Sequence, residues 1–207
     1  MSVDHEGLRL RAAKLAAAAA ALKRASGVEP PFALAFLTDR GRIPEPEFVL
    51  GALPAGTAVV YRDYDDPRRP VLAERYAAIC RRRGLMFLVG ADQALASAVG
   101  AAGAHVPSRA LVGQARTRTR IGIVTAACHD ADELALAAEG GADLVFLSPV
   151  FVTASHPAAP LGAAGFKALA AASAVPTLAL GGVDAANALD LVGPNVAGFG
   201  AIGAFAP

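Results

Sequence analysis

Eight short apolar runs recur along this chain, each opened by a turn signal and followed by an alanine-rich amphipathic stretch. They are Phe32–Thr38, Ala58–Arg62, Met86–Val89, Ala104–Val106, Ile121–Ala126, Leu144–Leu147, Thr177–Leu180 and Ala197–Ile202. Their apolar character is nearly continuous rather than alternating, which is the pattern of parallel strands covered on both faces. The stretches between them, such as Arg68–Arg83, Asp130–Glu139 and Asp184–Leu191, read as helices. Arg81, Arg82 and Arg83 precede Gly84, placing cations in a last helical turn and a glycine just beyond it. Asp130 with Glu133 has the spacing of a capping box. Eight strand–helix units in 207 residues predict an α/β fold, a (β/α)8 TIM barrel with an extra N-terminal helix. The expected organisation is a helix within 1–30 packed on a single barrel domain over 31–207. An open doubly wound sheet is the competing architecture. It uses fewer strands, and no G-x-G-x-x-G follows the first apolar run.

Charged residues make up 18% of the chain, the net charge is +1, and Lys and Arg are dispersed. Neither a nucleic-acid stripe nor a polybasic membrane patch is present in that pattern, so the expected partner is a small molecule, with a homo-oligomer left open. Two cysteines, Cys80 and Cys128, are too few for a disulfide framework and have no zinc-ligand spacing. The segment Leu8–Ser26 places basic residues before the run Leu15–Leu22, yet that run is mostly alanine and closes on Lys23 and Arg24. It reads as a helix with high alanine propensity rather than an export signal. No run reaches the roughly 20 apolar residues of a membrane span, and the expected location is cytoplasmic.

In a barrel, chemistry sits on the loops that follow strands. That rule selects Asp39, Arg62, Asp63, His105, Thr125, His129, Ser148, Thr153, Ser155, His156, Gly181 and Gly182 as functional candidates. Arg116, Arg118 and Arg120 precede the fifth apolar run and belong to the opposite face. Gly181–Gly182 follows the seventh run and Ile202–Gly203 the eighth. Glycines let backbone amides approach an anion, a helix N-terminus adds a favourable dipole, and this pair of barrel loops commonly holds phosphate.

Several segments carry a resemblance. The stretch GADLVFLSPVFVTASH, Gly141–His156, resembles the G-A-D-Y-x-x-x-G-P-x-x-x-T-x-T-K segment of the thiamine phosphate synthases and the related TenI thiazole tautomerases. LALGGVDAAN, Leu178–Asn187, is similar to their I-G-G-I…N, GAHV to their G-x-H-L, and YRDY to their R-E-K segment. The resemblance runs from about Phe32 onward and is most specific in the last third. It implies a thiazole-phosphate site formed by Thr153, Ser155, His156, Gly181, Gly182, Ile202 and Gly203, with Arg62 and His129 as the catalytic candidates. Residues 148–162, polar and stiffened by Pro157 and Pro160, would form an anion-binding lid.

The departures from that pattern cluster in one half of the implied site. The synthase reaction joins a pyrimidine pyrophosphate to a thiazole phosphate and expels pyrophosphate with magnesium. Where the family has an Asn-Asp pair after strand three, this chain has Gly90-Ala91. Where it has an Asp five residues after the strand-four histidine, this chain has Ala110. Tyr64, Val60 and Ala127 stand where lysine, glutamine and serine are expected, and His156 stands for a lysine. The expectation is therefore a tautomerase-like protein that needs no cofactor and has no metal ligands, His129 serving as proton carrier. The alternatives are a magnesium-dependent synthase whose metal is held by Asp39, Asp63 or Asp92, and a binding protein without turnover. A zinc site built from His105, His129 and His156 is a further alternative. His105 is expected to be a structural hydrogen-bonding residue, Cys128 a small apolar filler, and Asp92 a helix cap.

Overall fold

The structure, a computed structural model, describes residues 5–112, 122–153 and 159–206. Its frame is a closed ring of eight parallel strands in chain order: β1 (Leu34–Leu37), β2 (Ala58–Tyr61), β3 (Met86–Gly90), β4 (Gly103–Pro107), β5 (Ile123–Cys128), β6 (Leu144–Leu147), β7 (Thr177–Ala179) and β8 (Val196–Ala201). The ring closes where Leu34, Ala35 and Phe36 of β1 pair with Phe199, Gly200 and Ala201 of β8. This is the (β/α)8 architecture that the repeating apolar runs predict, and it excludes the open doubly wound sheet.

Alternation along each strand divides the buried side chains between two cores. On β2, Val59 joins a cluster shared with the outer helices, while Ala58 and Val60 join Phe32, Leu37, Leu88, Leu144, Phe146 and Leu178 inside the ring. The interior is thus filled by side chains, and a ligand has room only above it, at the strand ends.

The helices are α1 (His5–Ser26), α2 (Pro46–Ala52), α3 (Arg69–Arg83), α4 (Gln93–Ala98), α5 (Ala131–Glu139) and α6 (Gly162–Ala172). Helix α3 ends as its sequence predicts: Gly84 takes the left-handed conformation at φ 66°, and Leu85 N donates to Cys80 O. Asp130 caps α5 by accepting from Glu133 N at 2.8 Å. The Glu133 carboxylate reaches back one residue further than in a capping box, to the amide of His129. Asp92 caps α4 through Leu95 N at 2.8 Å.

One expected helix is cut short. Of Asp184–Leu191 only a 3-10 turn, Ala188–Leu191, forms. The Asp184 carboxylate accepts from the amides of Ala186 and Asn187, and the Asn187 side chain bonds Asp184 N and Gly182 O. Such local bonds compete with the helical ladder, and Pro194 prevents the segment from continuing as a helix. Other 3-10 turns, Ser108–Leu111 and Gly203–Phe205, follow β4 and β8. Helix α1 packs against β8, the 188–191 turn and α2, presenting Leu8, Ala12, Leu15, Ala19 and Leu22 as one buried face. Their spacing of four and three residues is the period of a helix with one apolar side. Arg11 donates from its guanidinium to the carbonyl of Ala206. Arg116, Arg118 and Arg120 lie outside the described residues. No described helix is long and apolar enough to cross a membrane.

Candidate active site

The strand ends surround a cavity of about 310 Å³, within the range of small-molecule sites. Seven of the nine site residues anticipated from the sequence line it: Arg62, His129, Thr153, Gly181, Gly182, Ile202 and Gly203. Ser155 and His156 lie outside the described residues. Arg42, from the loop after β1, and Gly200 and Ala201, at the end of β8, also line the cavity and were not anticipated. The rule that selects loops after strands covers Arg42. Gly200 gave no signal because its role is to be small: a Cβ there would sit 2.8 Å from both Leu37 Cδ1 and Phe146 Cε1.

Backbone bonding builds the β6–β7 side. Val150 N donates to Leu180 O and Phe151 N to Gly181 O, each at 2.9 Å, zipping the segment after β6 onto the Gly-Gly turn and carrying Thr153 to the cavity. Only glycine fits that turn. Gly181 and Gly182 hold φ of 95° and 67°, and a Cβ on Gly182 would lie 2.8 Å from Val152 O. Leu161 N to Pro149 O and Gly162 N to Val150 O close the loop at its far end. Among the described residues, no hydrogen-bond acceptor takes the amides of Gly182, Val183 or Gly203, all of which border the cavity. Above Gly203 a Cβ would meet nothing within 4 Å. The anticipated helix dipole is not part of this corner, since only 3-10 turns follow β7 and β8. What this corner offers instead is amides unpaired among the described residues, donors of the kind an anion accepts from.

Arg62, the residue directly after β2, lines the same cavity. Its amide donates to Thr38 Oγ1 at 2.9 Å, and the Thr38 hydroxyl donates to Asp63 Oδ2 at 2.9 Å. Its Nε is buried without a partner among the described residues. A buried guanidinium N–H in that state gains from an anionic acceptor.

Two histidines line the cavity under different conditions. His105 is buried, its Nδ1 is 2.9 Å from Thr125 Oγ1, and its ring meets Phe146 edge-on. Burial, with a smaller contribution from the Arg62 charge, pushes its pKa down to about 3 and holds the imidazole neutral. His129 is more exposed, with Nδ1 2.8 Å from Glu133 Oε2. That carboxylate also accepts from the His129 amide, fixing the ring's orientation. Cys128 is buried, its thiol donates to Glu133 O, and burial followed by the nearby Glu133 and Asp130 charges pushes its pKa up to about 12. A thiol in that state is no nucleophile at neutral pH.

The β2–β3 side is filled differently. The Arg69 guanidinium lies 5.0 Å from the Tyr61 ring centroid and 5.1 Å from that of Tyr64, and its Nη2 donates to the carbonyl of Gly90. A Cβ at residue 90 would fall 2.8 Å from Tyr61 O and 2.9 Å from Tyr64 Oη, leaving no place for a ligating side chain. Ala91 holds φ of 55°, a left-handed conformation that suits Asn or Asp better than Ala.

The three carboxylates considered as substitutes are engaged elsewhere. Asp39 pairs with Arg42 at 3.0 Å, Asp63 accepts from Thr38 and from Arg40 N, and Asp92 caps α4. Among the described residues no group of three or more His, Cys, Asp or Glu is placed to hold a metal ion. Residues 113–121 and 154–158 contain no Asp or Glu. Among the described residues, the turn after β3 does not fit a magnesium ion: Gly90 and Ala91 offer it no side-chain donor, and the Asp92 carboxylate is taken by the α4 cap.

Residues 34–205 match the model of the family described as thiamine monophosphate synthase. The chain is 36% identical over 142 residues to a thiamine-phosphate synthase of Thioalkalivibrio sulfidiphilus, covering 64% of this chain and 65% of that protein. It thus spans a little under two thirds of that relative's length. A thiamine-phosphate synthase of Methanoculleus marisnigri is 34% identical over 171 residues, covering 80% of this chain and 81% of that one. Among solved structures, a thiamine phosphate pyrophosphorylase from Pyrococcus furiosus superposes with a TM-score of 0.69 at 24% identity over 88% of both chains. A 2-keto-3-deoxy-6-phospho-gluconate aldolase from Zymomonas mobilis gives 0.54 at 16% identity, over 88% of this chain and 85% of that one, a likeness of fold.

Proposed function

This chain belongs to the thiamine monophosphate synthase family, and on that premise we propose that it is an enzyme of thiamine phosphate formation that holds a thiazole phosphate at the barrel mouth. The observation that carries this reading is that Gly182, Val183 and Gly203, whose amides are unpaired among the described residues, line one cavity together with Arg62 and Thr153. The phosphate would accept from those amides and from the Arg62 guanidinium, and Thr153 would add a hydroxyl. The thiazole ring would then lie toward His105, His129 and Ser148.

The reaction we carry forward is the synthase reaction, joining the thiazole phosphate to a pyrimidine pyrophosphate with loss of pyrophosphate. The names of the relatives support it. His105, neutral and oriented by Thr125, would contact the ring system without competing for the phosphate. A coupled assay with both substrates should yield thiamine phosphate. No product with or without magnesium would remove this assignment.

A second reading has its own observation. The His129–Glu133 pair on the cavity rim is an oriented acid–base group, and proton transfer on a thiazole carboxylate phosphate needs no metal. On that reading the protein accelerates aromatisation of the tautomer, and His129→Ala slows it by about 100-fold or more. An unchanged rate in the variant would leave only the synthase reaction.

A further inference from the structure

We propose that ligand binding at this mouth is independent of divalent metal, because Tyr64, Arg69 and Gly90 together occupy the ground where a metal and its ligands would stand. The inference rests on the anion site described above and specifies how its charge is met.

Three observations converge on it. First, the space beside the end of β3 is full. Residue 90 can carry no side chain without displacing the Tyr61 carbonyl or the Tyr64 ring, so neither an amide nor a carboxylate can be offered from that position. Second, the space is already cationic. Arg69 is held between two tyrosine faces and hydrogen-bonded to the Gly90 carbonyl, the backbone oxygen that could otherwise turn toward a metal. A fixed guanidinium there repels a divalent cation and keeps its charge at every accessible pH. Its Nη1, like Nε of Arg62, is buried without a hydrogen-bond partner among the described residues, so each guanidinium keeps a donor that those residues leave unmet. Third, the backbone at Ala91 keeps the left-handed conformation that suits Asn or Asp, although the residue has only a methyl group. The negative charge of the bound molecule is then met by Arg62 and peptide amides, with Arg69 acting as a positioning residue that braces Tyr64 and the β3 end.

Calorimetric titration of the wild-type protein tests this with inorganic phosphate and with pyrophosphate, each in a chelating buffer and in millimolar magnesium chloride. Phosphate should bind in both buffers with dissociation constants within about twofold, and pyrophosphate should gain no more than that from magnesium. Arg62→Gln should weaken phosphate binding about tenfold or more in both buffers alike. A tenfold or greater strengthening of pyrophosphate binding by magnesium, or a loss in Arg62→Gln confined to the magnesium buffer, would overturn metal independence and leave the anion site standing. If phosphate fails to bind in either buffer, the inference and the anion site fall together.

Discussion

A single alanine records how local chemistry and backbone can part company. Ala91 sits at φ 55° directly after β3, and its amide donates to His105 O at 2.7 Å, so the strand partner holds it in place. An L-residue without a local hydrogen-bonding side chain pays about 1–2 kcal/mol for that conformation. Ala91→Asn should therefore stabilise the fold by roughly 0.5–1 kcal/mol, read as a shift in the urea midpoint at unchanged slope. A loss of stability would mean that the turn is held for another reason. Residue-level legibility followed the same line. Arg62, Thr153 and the glycines were readable as residues lining the cavity because their positions follow strands. The Tyr64–Arg69–Gly90 arrangement was not, because it depends on a ring and a guanidinium meeting across two loops, and nothing in the spacing of residues 64, 69 and 90 encodes that contact.

At the level of elements, strand positions were legible to within a residue or two because continuous apolar runs have few other places to go. The β7–β8 connection was misread for a physical reason: Asp184 and Asn187 satisfy each other's turn amides, and the helix gives way to a single 3-10 turn. Helix α1 lies against the outer face of β8 and that turn. Leu15, only 1% exposed on this face, should behave as a core residue: Leu15→Ala should cost about 2–4 kcal/mol in chemical denaturation. Leu10, 59% exposed on the same helix, should change stability by no more than about 0.5 kcal/mol when replaced by alanine. Equal effects at the two positions would show that α1 does not pack as described.

For the whole molecule, the filled ring couples site chemistry to stability through His105. Its imidazole is buried beside Arg62 and Phe146 and kept neutral, with a folded pKa of about 3 against about 6.5 in an unfolded chain. Between those values the unfolded chain binds a proton that the folded one refuses, so stability rises with pH across the window. The contribution is complete above about pH 6.5 and is lost as the pH falls toward 3, on the order of 4 kcal/mol at the acid end. Melting temperatures followed from pH 7 down to 3.5 should fall less steeply for His105→Gln than for wild type. Parallel curves would place the acid sensitivity elsewhere.

Because β8 returns to pair with β1, each strand has a neighbour on both sides and the sheet leaves no edge open. Side chains standing above the ring, such as Arg42 and Thr153, can therefore be exchanged without opening the cylinder, whereas a side chain at Gly90 would press on the Tyr61 carbonyl of β2.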